Sequence, residues 1–364
     1  MIRIEKTLYT LLILSFFSQL TLAQDTITPK LIWTVNKVDL GTVLEEQGPQ
    51  IAEFEFAHTQ DSIFFIEKVW TDCGCTTVDY TKDTLVVGES GTLRVSFDPS
   101  SGAGYFSRMI VVKGNLMGVQ DTLYIEGTAL PRASDPEATY KTRKGDLGFR
   151  LSKVNVGEVF NNEPKLKQVE VYNFGSNILM KDSLEFIGPE YIQVSQLTEA
   201  ILPNDRGLLQ ILYDGALKND LGFFEDQVSI NWKDSTTFIQ LEVMADVFEY
   251  YAPFAKDNLN IVPQLVIDPK ERDLRTIKST QIQVENVVLS NRGKQVLEIK
   301  KVQGNCDCLK LEIPKLTLDP GESIELKVVF DPKGRKGIDQ RNIYIFSNDP
   351  LNPVQLFLLK SRVE

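Results

Sequence analysis

The sequence predicts an all-β chain of three tandem β-sandwich domains behind an N-terminal signal peptide. Three observations predict it. Short runs alternate apolar and polar residues with a period of two, and Gly, Pro, Asn and Asp punctuate them. The chain repeats itself, clearly once and weakly a second time. Residues 1–23 form a basic-then-apolar leader unlike anything that follows.

The leader carries Arg3 and Lys6, then an almost wholly apolar run from Leu8 to Phe17, and ends Thr21-Leu22-Ala23 before Gln24. This is the layout of a secretory signal peptide cleaved after Ala23. The apolar run is short for a membrane span, which needs about 20 residues. No cysteine stands at the junction for lipid attachment. No later stretch reads as membrane-spanning, so the mature chain is expected not to be an integral membrane protein. Its four cysteines are expected to meet an oxidising compartment. The chain lacks a terminal aromatic of the outer-membrane-barrel type, and the periplasm is the expected location, with association to the outer membrane open.

A chain of 364 residues suits two or three domains, and 42% hydrophobic content suffices for packed cores. Fifty acidic against 39 basic residues give a net charge of −11. That excludes nucleic acid and anionic membrane surfaces as expected partners, because both require basic patches.

In the first domain, 31–130, Ile51 to Phe56 alternates, with Ala52, Phe54 and Phe56 on one face and Glu53 and Glu55 on the other. Ile63 to Trp70 runs into Cys73-Gly74-Cys75. Leu93, Val95 and Phe97 alternate with Arg94 and Ser96, and Tyr105 to Lys113 and Thr122 to Gly127 complete the set. Such spacing over about 100 residues reads as a sandwich. A shift of 233 residues places Cys73 and Cys75 on Cys306 and Cys308. It also places Gly88-Glu89-Ser90 on Gly321-Glu322-Ser323, and Phe97-Asp98-Pro99 on Phe330-Asp331-Pro332. This register defines the third domain, 263–364.

A shift of 116 places Leu93 to Asp98 on Leu209 to Asp214 and defines a degenerate second domain, 146–249. There Pro189-Glu190-Tyr191 stands where the cysteine motif is expected, and Pro203-Asn204-Asp205 stands for Val87-Gly88-Glu89. Asn173-Phe174-Gly175 matches Asn291-Arg292-Gly293, and the glycine is expected to supply a positive φ. Two linkers, 131–145 and 250–262, separate the domains. The first is polar, so interdomain motion is expected. The second carries Tyr250, Tyr251 and Phe254, which are expected to seat the second domain against the third.

The run Asp72-Cys73-Gly74-Cys75-Thr76 resembles a bacterial family known as domain of unknown function 1573. Its members carry a Ser-Cys-Gly-Cys-Thr-like motif, a Pro-x-x-Gly-like turn and a Phe-Asp strand end. The third domain has that turn as Asp319-Pro320-Gly321-Glu322. It also has Ser347-Asn348-Asp349-Pro350 before Pro353, similar to related ASH and major-sperm-protein-like domains. The resemblance implies an immunoglobulin-like sandwich and an envelope location. The family carries no established activity, so the resemblance implies no catalytic residue and no cofactor.

Three readings of Cys73, Cys75, Cys306 and Cys308 stand. The favoured one is structural, as local disulfides or buried thiols. The second is a redox-active disulfide, and the third a dithiolate for a soft metal. Residues i and i+2 of a regular strand lie at or beyond disulfide reach, so a bridge needs a bend. Gly74 permits that bend, and Asp307 is expected to hinder it.

His58, the only histidine, reads as a surface turn residue, which leaves no histidine-based catalytic set. Trp33, Trp70 and Trp232 read as core residues. The expected function is therefore that of a non-catalytic structural or adaptor module binding another envelope protein, such as an accessory subunit of an outer-membrane or secretion assembly. The alternatives are a periplasmic thiol or soft-metal protein, and a carbohydrate binder or hydrolase.

Overall fold

The computed structural model describes residues 31–116, 118–233, 239–252 and 261–364. The expected signal peptide, 1–23, and Phe254 lie outside the described residues. The chain divides into two compact units, one ending at Arg132 and one running from Ala133 to Glu364. The first unit holds one hydrophobic core and the second holds two.

The first unit is a sandwich of eight strands: β1 (Leu31–Trp33), β2 (Lys37–Leu44), β3 (Gln50–His58), β4 (Ile66–Thr71), β5 (Thr76–Tyr80), β6 (Ser90–Phe97), β7 (Gly104–Gly114) and β8 (Gln120–Leu130). One sheet has the order β1-β3-β6-β5 and the other β2-β8-β7-β4. The alternation seen in the sequence decides the faces. In β3, Ala52, Phe54 and Phe56 are buried while Glu53 and Glu55 face water. Phe54, Phe56, Phe64, Leu93, Phe97 and Phe106 fill the space between the sheets.

The second unit begins with β9 (Thr142–Lys144), β10 (Leu147–Phe149), β11 (Lys153–Phe160), β12 (Lys165–Asn173), β13 (Leu179–Met180) and β14 (Leu184–Ile187). It continues with β15 (Ile192–Gln196), β16 (Ala200–Ile201), β17 (Asp205–Tyr213), β18 (Gly222–Trp232) and β19 (Ile239–Phe248). Its sheets are β15-β17-β12-β10-β9 and β11-β19-β18-β14, with a small β13-β16 pair. The last sandwich contains β20 (Leu265–Asp268), β21 (Glu271–Ile277), β22 (Gln283–Asn291), β23 (Leu297–Gly304) and β24 (Leu309–Glu312), then β25 (Thr317–Leu318), β26 (Ser323–Phe330), β27 (Gly337–Ser347) and β28 (Val354–Val363). Its sheets are β20-β22-β26-β24 and β21-β28-β27-β23-β25. The whole is an all-β array of immunoglobulin-like sandwiches.

The sheets repeat in the register of the sequence. In each sandwich an early strand runs parallel to the last one: β2 to β8, β11 to β19, β21 to β28. Each of these strands is bulged at one place. The side-chain oxygens of Asp39, Asn155 and Asp273 accept the N–H of Gly41, Gly157 and Arg275 at 2.7–2.8 Å, and those three residues have φ of 68°, 81° and 57°. The turn before β6, β17 and β26 repeats too. Gly88, Asn204 and Gly321 have positive φ and donate to the carbonyls of His58, Asn173 and Asn291.

Three expectations are corrected. Gly175 and Gly293 do not have positive φ. They are glycine because a Cβ would collide, at Gly293 with the Val262 carbonyl oxygen at 2.3 Å, and at Gly175 with the Asp146 side chain at 2.8 Å. Residues 131–145 are folded rather than loose. Asp135 caps a short helix, Pro136–Thr139, Tyr140 is fully buried, and β9 joins a sheet. His58 is fully buried beneath Phe64, with its Nε2 on the Ser62 carbonyl oxygen. It occupies the position of Asn173 and Asn291, whose amides tie the following loops to the sheet.

Candidate functional site

The two cysteine motifs form the same turn. Each links a strand of one sheet to an edge strand of the other: β4 to β5, and β23 to β24. Thr76 N–H donates to the Cys73 carbonyl and Leu309 N–H to the Cys306 carbonyl, both at 3.2 Å. Asp98 and Asp331 then donate their N–H to Cys75 and Cys308. The bend brings the paired Cα atoms to 5.2 Å in both motifs, within disulfide reach, and Cys73–Cys75 and Cys306–Cys308 are bonded. Asp307 does not hinder the bend, because neither it nor Gly74 takes a positive φ. All four cysteines are half-buried. Among the described residues no group of three or more His, Cys, Asp or Glu is gathered that could hold a metal.

The second sandwich keeps the turn and replaces the brace. Ile192 N–H donates to the Pro189 carbonyl, and Asp214 N–H to the Tyr191 carbonyl. Tyr191 stands where Cys75 and Cys308 stand. Its hydroxyl donates to Asp226 at 2.7 Å, and Lys218 reaches both at 2.7 and 3.1 Å. Tyr213 donates to the other Asp226 oxygen at 2.8 Å. Burial and this carboxylate hold the Tyr213 hydroxyl well above its ordinary range.

Within the second unit the two sandwiches are locked together. Gln303 of β23 pairs with the backbone of Phe223 through both its amide groups, at 2.9 Å each. The Phe223 ring packs on Tyr344, 4.5 Å between centroids, and on Phe346 at 6.1 Å, while Phe248 stacks on Phe346. Lys301 holds Asp220 at 2.8 Å and Lys300 holds Glu249 at 2.5 Å. Gly222 lies so close that a Cβ would sit 2.1 Å from Gln303 Oε1. Of the linker aromatics, Tyr251 takes part through Glu249 and the Ser347 carbonyl, whereas Tyr250 is 45% exposed.

Beside this junction lies a groove of about 790 Å³. Phe223, Phe224, Met244, Leu309 and Tyr344 line it, Cys306 stands in its wall, and Asp246 and Asp307 make it acidic, while Glu225 beside them is paired with Lys153 at 2.8 Å. Burial, reinforced by Glu158, raises the Asp246 carboxyl above its usual range. The groove therefore offers apolar aromatic surface, a disulfide and carboxylates, a combination that suits an apolar segment carrying basic residues. Sequence reading missed it because Phe223 and Tyr344 each look like ordinary strand residues. It did find the two cysteine pairs, and Cys306 of the second pair lines the groove. Trp232 and Trp33 pack in or against cores as expected, but Trp70 is 36% exposed on the outer face of β4. That expectation is corrected.

A family model described as "Protein of unknown function (DUF1573)" matches residues 31–129 and 265–361. The chain belongs to this family. The DUF1573 matches coincide with the two disulfide-bearing sandwiches. No curated protein matches the chain. A protein of unknown function from Porphyromonas gingivalis W83 is similar in structure, with 14% identity and TM-score 0.46, over 60% of this chain and all of that one. An endo-fucoidan hydrolase of glycoside hydrolase family 107 has 13% identity and TM-score 0.23, over 93% of this chain but 44% of the hydrolase. A three-immunoglobulin-domain structure of titin has 10% identity and TM-score 0.20, over 92% of this chain and 98% of that one. These are likenesses of fold.

Proposed function

We propose that this DUF1573 chain is an exported, non-catalytic adaptor of the bacterial envelope, working in the periplasm by binding another envelope protein. The observation that carries this reading is the acidic, aromatic-lined groove beside the locked pair of sandwiches. Such a junction presents preformed apolar surface at little ordering cost, and apolar surface rimmed by charge is how protein partners are recognised. No helix among the described residues is long and apolar enough to cross a membrane. A place as accessory subunit of an outer-membrane or secretion assembly follows from this reading.

The test is affinity purification from the native envelope after mild crosslinking. A reproducible membrane complex, lost when Phe224→Asp is placed in the groove, is the expected result. Recovery of the lone chain would overturn the adaptor reading. One observation favours a second reading, a thiol-redox role: Cys306 stands half-buried in the groove wall. Thiol titration with and without mild reductant separates the two, since a purely structural bridge stays closed until the protein unfolds.

A further inference from the structure

The face of β23 and β27 that receives the second sandwich has an exact counterpart in the first. Gln303 pairs with Tyr344 and Lys301 with Phe346 across those strands. In the first sandwich Trp70 pairs with Val111 and Lys68 with Lys113 across β4 and β7, in the same register. The disulfide turn follows both: Cys73 comes three residues after Trp70, as Cys306 comes three after Gln303. In the third sandwich this face is covered, and Phe346 is 1% exposed. In the first sandwich Trp70 and Lys68 are exposed.

What covers the third face is the start of β18, Asp220-Leu221-Gly222-Phe223. Asp220 meets Lys301 and Phe223 meets Tyr344. We infer that the Lys68–Trp70 face of the first sandwich docks the corresponding end of an immunoglobulin-like domain in a partner protein, with an aromatic residue after the glycine and a carboxylate for Lys68.

Neither free end of this chain supplies both features: in the first sandwich Gly102-Ala103-Gly104-Tyr105 has the aromatic, with Tyr105 70% exposed, but a glycine where the carboxylate belongs. The equivalent free end of the third sandwich is Arg335-Lys336-Gly337-Ile338, in which Ile338 is 85% exposed and Gly337, like Gly222, has a positive φ. Its geometry fits, but Arg335 would meet Lys68, and like charges in contact oppose docking. This inference rests on the protein-binding reading and names one of its surfaces. It is tested on a built contact, so it holds or fails independently of whether a native complex is captured.

The experiment turns the chain's own free end into a donor. Sedimentation velocity of the full chain is run up to roughly millimolar, the local concentration that a short linker provides. The wild type is expected to remain monomeric. R335D/I338F is expected to associate head to tail, raising the weight-average mass with concentration, and Trp70→Ala is expected to return it to monomer. Arg335 bonds Asp339, so K68E/I338F serves as a second variant that leaves that contact intact and pairs the new acid with native Arg335. Its association, again lost with Trp70→Ala, supports the same face. Monomers in both variants would overturn the inference, as would association that survives Trp70→Ala. Trp70-dependent association of the wild type would make the occupant a second copy and overturn the charge argument.

Discussion

Cys73–Cys75 and Cys306–Cys308 brace a turn that Tyr191, Asp226 and Lys218 brace in the second sandwich. A bridge closing so short a loop removes little unfolded-state entropy. The pair Cys73→Ser/Cys75→Ser is expected to lower stability by only about 1–2 kcal/mol in urea unfolding, with the far-UV spectrum unchanged. Glu170 is a more costly residue to remove. Its side chain is buried with that of Arg206 at 2.6 Å, Arg150 lies at 2.5 Å, and the Tyr140 hydroxyl donates to it at 2.6 Å. Glu170→Ala removes the buried carboxylate that Arg206, Arg150 and Tyr140 share, and is expected to cost about 3–5 kcal/mol. Burial alone would raise the Glu170 pKa, but hydrogen bonds from Arg150, Tyr140 and Arg206 outweigh it and the net shift is downward. A carboxyl lowered on folding stabilises the native state above its unfolded pKa, and that stabilisation is lost as pH falls through the folded one. Thermal stability is therefore expected to fall below about pH 4 in the wild type and much less so in Glu170→Gln.

The bulged strands β2, β11 and β21 show how one element tolerates different residues. Gly41 and Gly157 take the left-handed conformation freely, while Arg275 takes it at φ 57°. An L side chain there costs roughly 1–2 kcal/mol, of which the greater unfolded freedom of glycine returns a part. Arg275→Gly is thus expected to raise stability by about 0.5–1 kcal/mol, and Gly157→Val to lower it by at least about 1 kcal/mol. Chemical denaturation of the two variants side by side checks both signs. A matched gain and loss at equivalent positions would tie the bulge, rather than local packing, to the effect.

The junction between the second and third sandwiches turns two cores into one unit. Gly222 is its most sensitive point, because its φ is 123° and any Cβ enters Gln303. Gly222→Val is expected to separate the pair without unfolding either sandwich. Limited proteolysis should then cut within 250–262, and calorimetry should resolve an additional transition. A variant that keeps the wild-type cleavage pattern would show that the linker, and not the packed face, holds the two together.

Strand identity, sheet faces and the repeat register could all be read from the chain, because burial on one face of a strand imposes a period of two that Phe54, Leu93 and Val95 display openly. The cysteine turn and the Gly88-like turn could be read for the same local reason: each is a few residues whose backbone geometry depends on one another. Other features arose only in three dimensions. His58 looked like a turn residue because its neighbours Thr59, Gln60 and Asp61 are polar, yet it takes the buried place of Asn173 and Asn291. Glu170 and Arg206 lie 36 residues apart, and Phe223 and Tyr344 lie 121 apart. Such pairs leave no periodic trace, since a contact between distant strands depends on shape and charge matching across a surface. The two cysteine turns border corresponding faces, covered in the third sandwich and exposed beside Trp70 in the first.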